Sequence, residues 1–328
     1  MPNEFERELS VAVEAVREAA GLCRGVQAGI TPDVLAKKDK SPVTVADFGS
    51  QALVCRALHA AFPSDPVIAE EDSAELRRTE NATLLEQVVE HVRRVRPDAN
   101  RDEACRWIDH GGARGYSDRF WTLDPIDGTK GFLRREQYAI SLALIVSGRI
   151  EVAALACPNL SNSTASSHAG AIFSAVRGRG AASHAINGDL ESVEIRVSNQ
   201  PEPALARFCD SVESGHSSHD HAAEIARQLG ITAEPVRMDS QAKYAVVARG
   251  EADIYLRLPT RADYREKIWD HAGGVLIVTE AGGTVTDVAG RPLEFRHGPE
   301  LTANRGVIVT NGRIHDRVLA AVAAAGVR

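Results

Sequence analysis

The run Arg119-Phe120-Trp121-Thr122-Leu123 is rich in aromatic and apolar residues and reads as a strand, and it leads directly into Asp124-Pro125-Ile126-Asp127-Gly128-Thr129-Lys130-Gly131-Phe132. Pro125 has no N–H, so the strand is expected to stop at Asp124, with Asp127 in the turn beyond it. Gly128 supplies a positive φ where the chain must bend. In this turn the Ile126 carbonyl is free to point inward, between the two carboxylates. Three such oxygens make part of a Mg²⁺ site, and the same residues on their own also make an Asx-rich turn.

Other acids are spaced to complete a site. Val67-Ile68-Ala69 is a short apolar strand entering Glu70-Glu71-Asp72, Asp47 lies near the start of an apolar helical run, and Asp270 stands just before another. Each is also explained singly as a helix cap or a solvated acid. If they converge, carboxylates about 4 Å apart repel by roughly 4 kcal/mol per pair at an effective dielectric near 20, a cost that a divalent cation removes.

The chain of 328 residues suggests two domains. Its formal charge of −7 argues against a general nucleic-acid coat but leaves room for a small basic pocket. The cysteines, Cys23, Cys55, Cys105, Cys157 and Cys209, are scattered without a Cys-x-x-Cys pair and read as buried reduced thiols. The charged Met1–Ser10 segment is no secretion signal, and no apolar run is long enough to span a bilayer, so a cytoplasmic location without membrane partners is expected.

Periodicity places helices near residues 4–27, 45–61 and 75–94, and the charged stretch 93–101 reads as a solvated connection. Strands follow at 138–147 and 150–156, then at 171–176 and 181–185 around the turn Arg177-Gly178-Arg179-Gly180. A boundary falls where Asn187-Gly188-Asp189 breaks the pattern, giving a first domain over 1–188 and a second over 189–328. Beyond it, strands at 192–197, 207–212, 236–238 and 253–257 alternate with helices at 219–229, 240–249, 270–280 and 313–325. The fold class is therefore α/β, with an α+β first domain of helices over a largely antiparallel sheet and an α/β second domain.

The acidic motifs resemble those of the lithium-sensitive, Mg²⁺-dependent phosphatase superfamily that includes inositol monophosphatases. They are Lys40 through Asp47, Ala69-Glu70-Glu71-Asp72-Ser73, Asp124 through Phe132 and Glu266 through Gly274. His216-Ser217-Ser218-His219, Ser240-Gln241-Ala242-Lys243-Tyr244 and Tyr255-Leu256-Arg257-Leu258-Pro259 resemble the 3′(2′),5′-bisphosphate nucleotidase branch of it. The resemblance implies a layered α-β-α-β-α sandwich with the site between the domains. It implies two or three Mg²⁺ ions, held by Glu70, Asp124, the Ile126 carbonyl, Asp127 and Asp270. Glu70, Asp47 and Thr129 are then the catalytic residues, with the Thr129–Asp47 pair orienting the attacking water; Thr129 equally suits a helix N-cap. His216, Ser240, Lys243 and Arg257, with Thr129, are the expected substrate contacts. An isolated Lys or Arg is more often a surface charge, but Arg257 interrupts an apolar run. Gly273 and Gly274 suit either close backbone approach to a phosphate or close helix packing. The His216–His221 cluster lacks the cysteine or His-Glu-x-x-His pattern of a zinc site.

The expected substrate is a small phosphorylated nucleotide, adenosine 3′,5′-bisphosphate, with its sulfated form second; such enzymes clear a by-product of sulfotransfer. An inositol phosphatase shares every metal ligand and differs only in the pocket. A non-catalytic nucleotide sensor is disfavoured because the set Asp47, Glu70, Asp124, Asp127, Thr129 and Asp270 is intact. Oligomeric state is not legible in the chain.

Overall fold

The computed structural model describes residues 4–30, 41–161, 169–187, 192–212, 219–259, 261 and 263–327. Lys40, the first residue of the motif that ends at Asp47, the base contact His216 and the neighbouring Ser217 and Ser218 fall outside the described residues.

Two sheets and three helical layers alternate, and side-chain alternation along the strands explains why. The first sheet runs β1 (Val67–Ala69), β2 (Arg119–Asp127), β3 (Ala139–Val146), β4 (Arg149–Ser161), β5 (Ala169–Val176), β6 (Ala181–Ala185) and β7 (Ser192–Ile195), side by side in chain order. Only the β1–β2 pairing is parallel; the others are antiparallel. Successive side chains point to opposite faces. Trp121, Leu123, Ile140, Leu142 and Ile172 pack on one side against helices α1 (Glu6–Ala28) and α2 (Ser41–Ala61). Phe120, Ala143, Leu155 and Phe173 pack on the other, against α7 (Ala242–Ala248) and α8 (Ala272–Glu280).

The second sheet closes over those two helices. Its order is β11 (Thr284–Thr286), β12 (Val307–Thr310), β10 (Ile254–Arg257), β8 (Phe208–Asp210), β9 (Val236–Arg237), with β8 parallel to both neighbours and β12 antiparallel to both of its own. Tyr255, Val307 and Val309 face the middle layer, whereas Ile254, Leu256 and Ile308 face α6 (His219–Leu229) and α9 (His315–Ala324). The result is an α-β-α-β-α sandwich. All five cysteines are buried and free. Among the described residues no helix is long and apolar enough to cross a membrane.

Several local readings change. β2 does not stop at Asp124 but continues through Pro125 to Asp127, with a shift of register between the two acids. The shift lets the proline sit where no ladder donor is needed. Ser50 donates its hydroxyl to the Pro125 carbonyl at 2.9 Å, fixing the bulge from the helix side. The stretch 75–94 forms an α-helix only as α3 (Ala82–Arg93), after a 3₁₀ turn at Thr79–Asn81, and the expected connection over 93–101 leads into a helix that the sequence had not disclosed. Asn100 opens helix α4 (Arg101–Asp109) with a capping box, its side chain accepting from the Glu103 N–H while Glu103 reaches back. The 192–197 segment extends the first sheet as β7, pairing with β6, so that sheet runs past residue 188. Strands β11 and β12 had no counterpart in the sequence reading.

The turn at Arg177–Gly180 has a second role. The backbone N–H groups of Gly178, Arg179 and Gly180 all donate to the Glu280 carboxylate, at 2.8, 3.1 and 2.9 Å. Glu280 is the last residue of α8, so this nest ties the far end of the middle-layer helix to the first sheet. Replacing Glu280 with Ala leaves three donors to water and is expected to lower unfolding free energy by about 1–2 kcal/mol. Urea denaturation checks this, and an unchanged midpoint would show the nest to be incidental.

A cleft with an acidic and a basic end

The ends of β2 and α8 meet in the middle layer and open into a cleft of about 660 Å³. Asp124 lies on the same face of β2 as Phe120, so its side chain points into that layer, and it is 1 % exposed. Gly128 follows at φ +90°, and a Cβ there would stand 2.7 Å from the Ser240 Cβ, so only glycine allows the turn to lie against the second half. Thr129, for which a helix N-cap was the alternative to a catalytic role, is the first residue of α5 (Thr129–Leu133), with Gly128 as the cap, and its exposed side chain lines the cleft.

The acidic end holds Glu70, Asp124, Asp127 and Asp270, with the Ile126 residue beside them. Burial drives the Asp124 carboxyl well above the usual range, and the charges of Glu70, Asp127, Asp270 and Asp47 push it further. Glu70 reaches the open cleft, yet the protein around it and the charges of Glu71 and Asp127 lift its carboxyl to about 7. Asp270, half-buried, is lifted to about 7 by its surroundings and by Asp127 and Glu70, against the favourable His271 and Arg257. Asp47 is raised as well, by burial and by Glu71 and Glu70. Asp124 Oδ1 is buried and has no hydrogen-bond partner among the described residues. An orphaned carboxylate oxygen among mutually repelling hard donors is what a divalent cation such as Mg²⁺ satisfies, so these residues fit one.

The basic end is built by α7 and β10. Lys243 is 4 % exposed; its ammonium touches the Met238 carbonyl at 3.4 Å and stands 5.2 Å over the Tyr255 ring. Burial lowers its pKa, so the charge is held at a cost that Asp127 and Asp239 partly offset. Arg257 donates from Nε to Glu266 at 3.3 Å and stands 3.9 Å from Asp270. Ser240 is buried with φ +70° and lines the cleft, and its hydroxyl accepts from the Ala242 N–H at 3.2 Å, just ahead of α7, whose N-cap is Gln241. Gln241 N–H donates to Asp127, tying the two ends together.

The expected residues Glu70, Asp124, Ile126, Asp127, Thr129, Ser240, Lys243, Arg257 and Asp270 thus line one cleft. Asp47 does not line it and lies well inside α2 rather than at its start. No hydrogen bond joins Asp47 to Thr129 among the described residues. Gly273 and Gly274 serve packing: added Cβ atoms would stand 2.5 Å from Ser141 Oγ and 2.2 Å from the Tyr244 ring. Glu266, His271, Tyr264 and Asp239 also line the cleft and had no role assigned from sequence. Glu266, Asp270 and His271 offer ligand atoms within 4.8 Å of one another. Both ring nitrogens of His271 are already engaged, by Tyr244 at 2.7 Å and Glu266 at 3.1 Å.

A sequence profile of the inositol monophosphatase family matches residues 5–326. The chain is 45 % identical to a 3′(2′),5′-bisphosphate nucleotidase of Schizosaccharomyces pombe, over 98 % of this chain and 96 % of that protein. It is 44 % identical to one of Oryza sativa, over 98 % and 94 %. Among solved structures it superposes on an inositol monophosphatase from Anabaena with TM-score 0.62 and 22 % identity, covering 98 % and 97 %. It superposes on Mycobacterium tuberculosis SuhB with TM-score 0.64 and 23 % identity, covering 98 % of each. At those identities the structures speak to fold alone.

The raised carboxyls set a pH dependence. A carboxyl lifted in the folded state stabilises the fold below its ordinary pKa, and that contribution is lost as pH rises through the folded value, here about 7 for Glu70 and Asp270. In chelator, Asp124→Asn should therefore gain melting temperature over the parent chain as pH rises from about 4.5 to about 7.5. Excess Mg²⁺ should restore the parent at the upper end. Parallel melting curves across the range would remove the repulsive cluster from the account.

Proposed function

The chain belongs to the inositol monophosphatase family, and from that premise we propose that it is a Mg²⁺-dependent phosphatase that removes the 3′-phosphate of adenosine 3′,5′-bisphosphate, giving AMP and phosphate. The observation that carries this reading is the coexistence of the Asp124 cluster and the buried Lys243 ammonium in one cleft, one end suited to cation-assisted phosphoryl chemistry and the other to a second anion. The curated nucleotidases at 44–45 % identity support the nucleotide assignment.

Glu70, Asp124, Asp127, Asp270 and the Ile126 carbonyl would hold two or three Mg²⁺ ions. Bound there, the ions neutralise phosphoryl oxygens and acidify water. Thr129 and Glu70 orient the attacking water toward phosphorus from the cleft wall, and Asp47, which lies off the cleft and makes no hydrogen bond to Thr129 among the described residues, would join them through a contact formed with the ligand in place. Water's oxygen forms a bond to phosphorus as the bond to the 3′-oxygen breaks, and the water's proton passes to the departing oxygen. Lys243 and Arg257 hold the 5′-phosphate, Arg by its planar fork and Lys as a point charge, with Ser240 beside them. His216 is assigned to the base. Holding the 5′-phosphate at one end fixes the 3′-phosphate against the acids at the other, which is how binding energy becomes orientation.

Purified protein should release phosphate from adenosine 3′,5′-bisphosphate with Mg²⁺, more slowly from its sulfated form, and not in excess chelator. Preference for inositol mono- or bisphosphates in the same panel would replace the nucleotide reading. Thr129→Ala should lower kcat by about 10²–10⁴ with little change in KM. Lys243→Ala should raise KM for the bisphosphate roughly tenfold and leave adenosine 3′-monophosphate unaffected. Equal losses on both substrates would place Lys243 away from the 5′-phosphate.

A further inference from the structure

A buried chain of polar contacts runs from the middle layer to Arg257. Tyr244 is fully buried, its ring edge-on to Tyr255 at 5.2 Å and pressed against Gly274. Its hydroxyl lies 2.7 Å from His271 Nδ1. His271, 1 % exposed, has Nε2 at 3.1 Å from Glu266 Oε2. A carboxylate accepts, so the Nε2 proton lies toward Glu266, and Nδ1 accepts from the tyrosine hydroxyl. Glu266, 6 % exposed, then receives Arg257 Nε at 3.2–3.3 Å. Arg257 Nη2 donates to the Tyr264 hydroxyl at 3.4 Å.

A buried glutamate is an odd neighbour for a guanidinium offered to an anion, because its charge opposes the ligand. What it supplies is direction. With Nε on Glu266 and Nη2 reaching Tyr264 and facing Asp270 at 3.9 Å, the guanidinium plane is fixed, and Nη1 is the terminal nitrogen left to a ligand. We propose that Glu266 is a positioning residue that aims Arg257 at the phosphate that is not cleaved, and that Tyr244 and His271 hold Glu266 in place. This rests on the reading of Arg257 as a 5′-phosphate contact. An arginine held in advance loses less side-chain freedom when it binds, which is where the gain in affinity arises. The opposite role is a charge damper that weakens hold on AMP, which keeps the 5′-phosphate, and so speeds its release.

The two roles predict opposite signs. The test is steady-state kinetics of the full Mg²⁺-loaded chain on adenosine 3′,5′-bisphosphate and adenosine 3′-monophosphate, with AMP as product inhibitor, for Glu266→Gln, Arg257→Ala and the double variant. Glu266→Gln should raise KM for the bisphosphate by about tenfold, the size of a charge-assisted contact, with kcat within about twofold. It should leave KM for the monophosphate unchanged and weaken AMP inhibition, and the double variant should be no worse than Arg257→Ala. Tyr244→Phe, which removes only a hydroxyl, should move the same quantities in the same direction by about two- to threefold. Equal losses on both substrates, additive losses in the double variant, or tighter AMP inhibition would overturn the positioning role. If Arg257→Ala costs nothing on the bisphosphate, the 5′-phosphate reading falls and this proposal with it. If Arg257→Ala weakens binding but Glu266→Gln and Tyr244→Phe do not, only the positioning falls.

Discussion

The repulsion among the carboxylates that surround the buried Asp124 is the constraint on which the rest depends. Burial and the charges of one another and of Asp127 raise the carboxyls of Glu70, Asp124 and Asp270 there, because strands and helices from both halves bring them together. Nothing local favours that arrangement. It persists because each acid is carried on an element whose own packing is already secured: Glu70 after β1, Asp124 and Asp127 on β2, Asp270 before α8. Stability gained in the three apolar layers offsets an electrostatic penalty concentrated at one point, and a divalent cation converts that penalty into affinity.

The same logic explains the basic end. A lysine buried to 4 % exposure on a seven-residue helix is held at a cost, and a nearly buried arginine is balanced by a glutamate. Placing opposite charges at two ends of one cleft orients a doubly charged ligand before any chemistry begins. Gln241 N–H on Asp127 spans the two ends, so neither can move without the other.

The acids were legible because each stands at the end of a pattern that sequence shows clearly, an apolar strand or an apolar helix start. β2 was legible as a strand, but its passage through Pro125 was not, because a bulge is decided by pairing with β3. Helix α4 was hidden by its charges although Asn100 and Glu103 spell a capping box, a signal that a closer reading could have found. β7 alternates like any strand, and nothing in it says which sheet it joins. Glu266 was invisible for a different reason. Its partners Arg257 and His271 lie on either side of it in the chain, and only folding reveals that both face it.

The nest that holds Glu280 gives α8 an anchor at each end, one among the acids and one at the hairpin of the first sheet. A rod pinned at both ends neither slides nor rolls, so the sheets on either side of it are locked to a common axle. Whatever yielding a ligand demands must then come from the rim of the cleft. There the half-exposed charges of the Arg134–Glu136 pair part at little cost, while the pair of Arg134 with the buried Asp239 holds. The molecule is rigid along its spine and soft at its lip, and tolerance for the shape of a guest is a property of that lip.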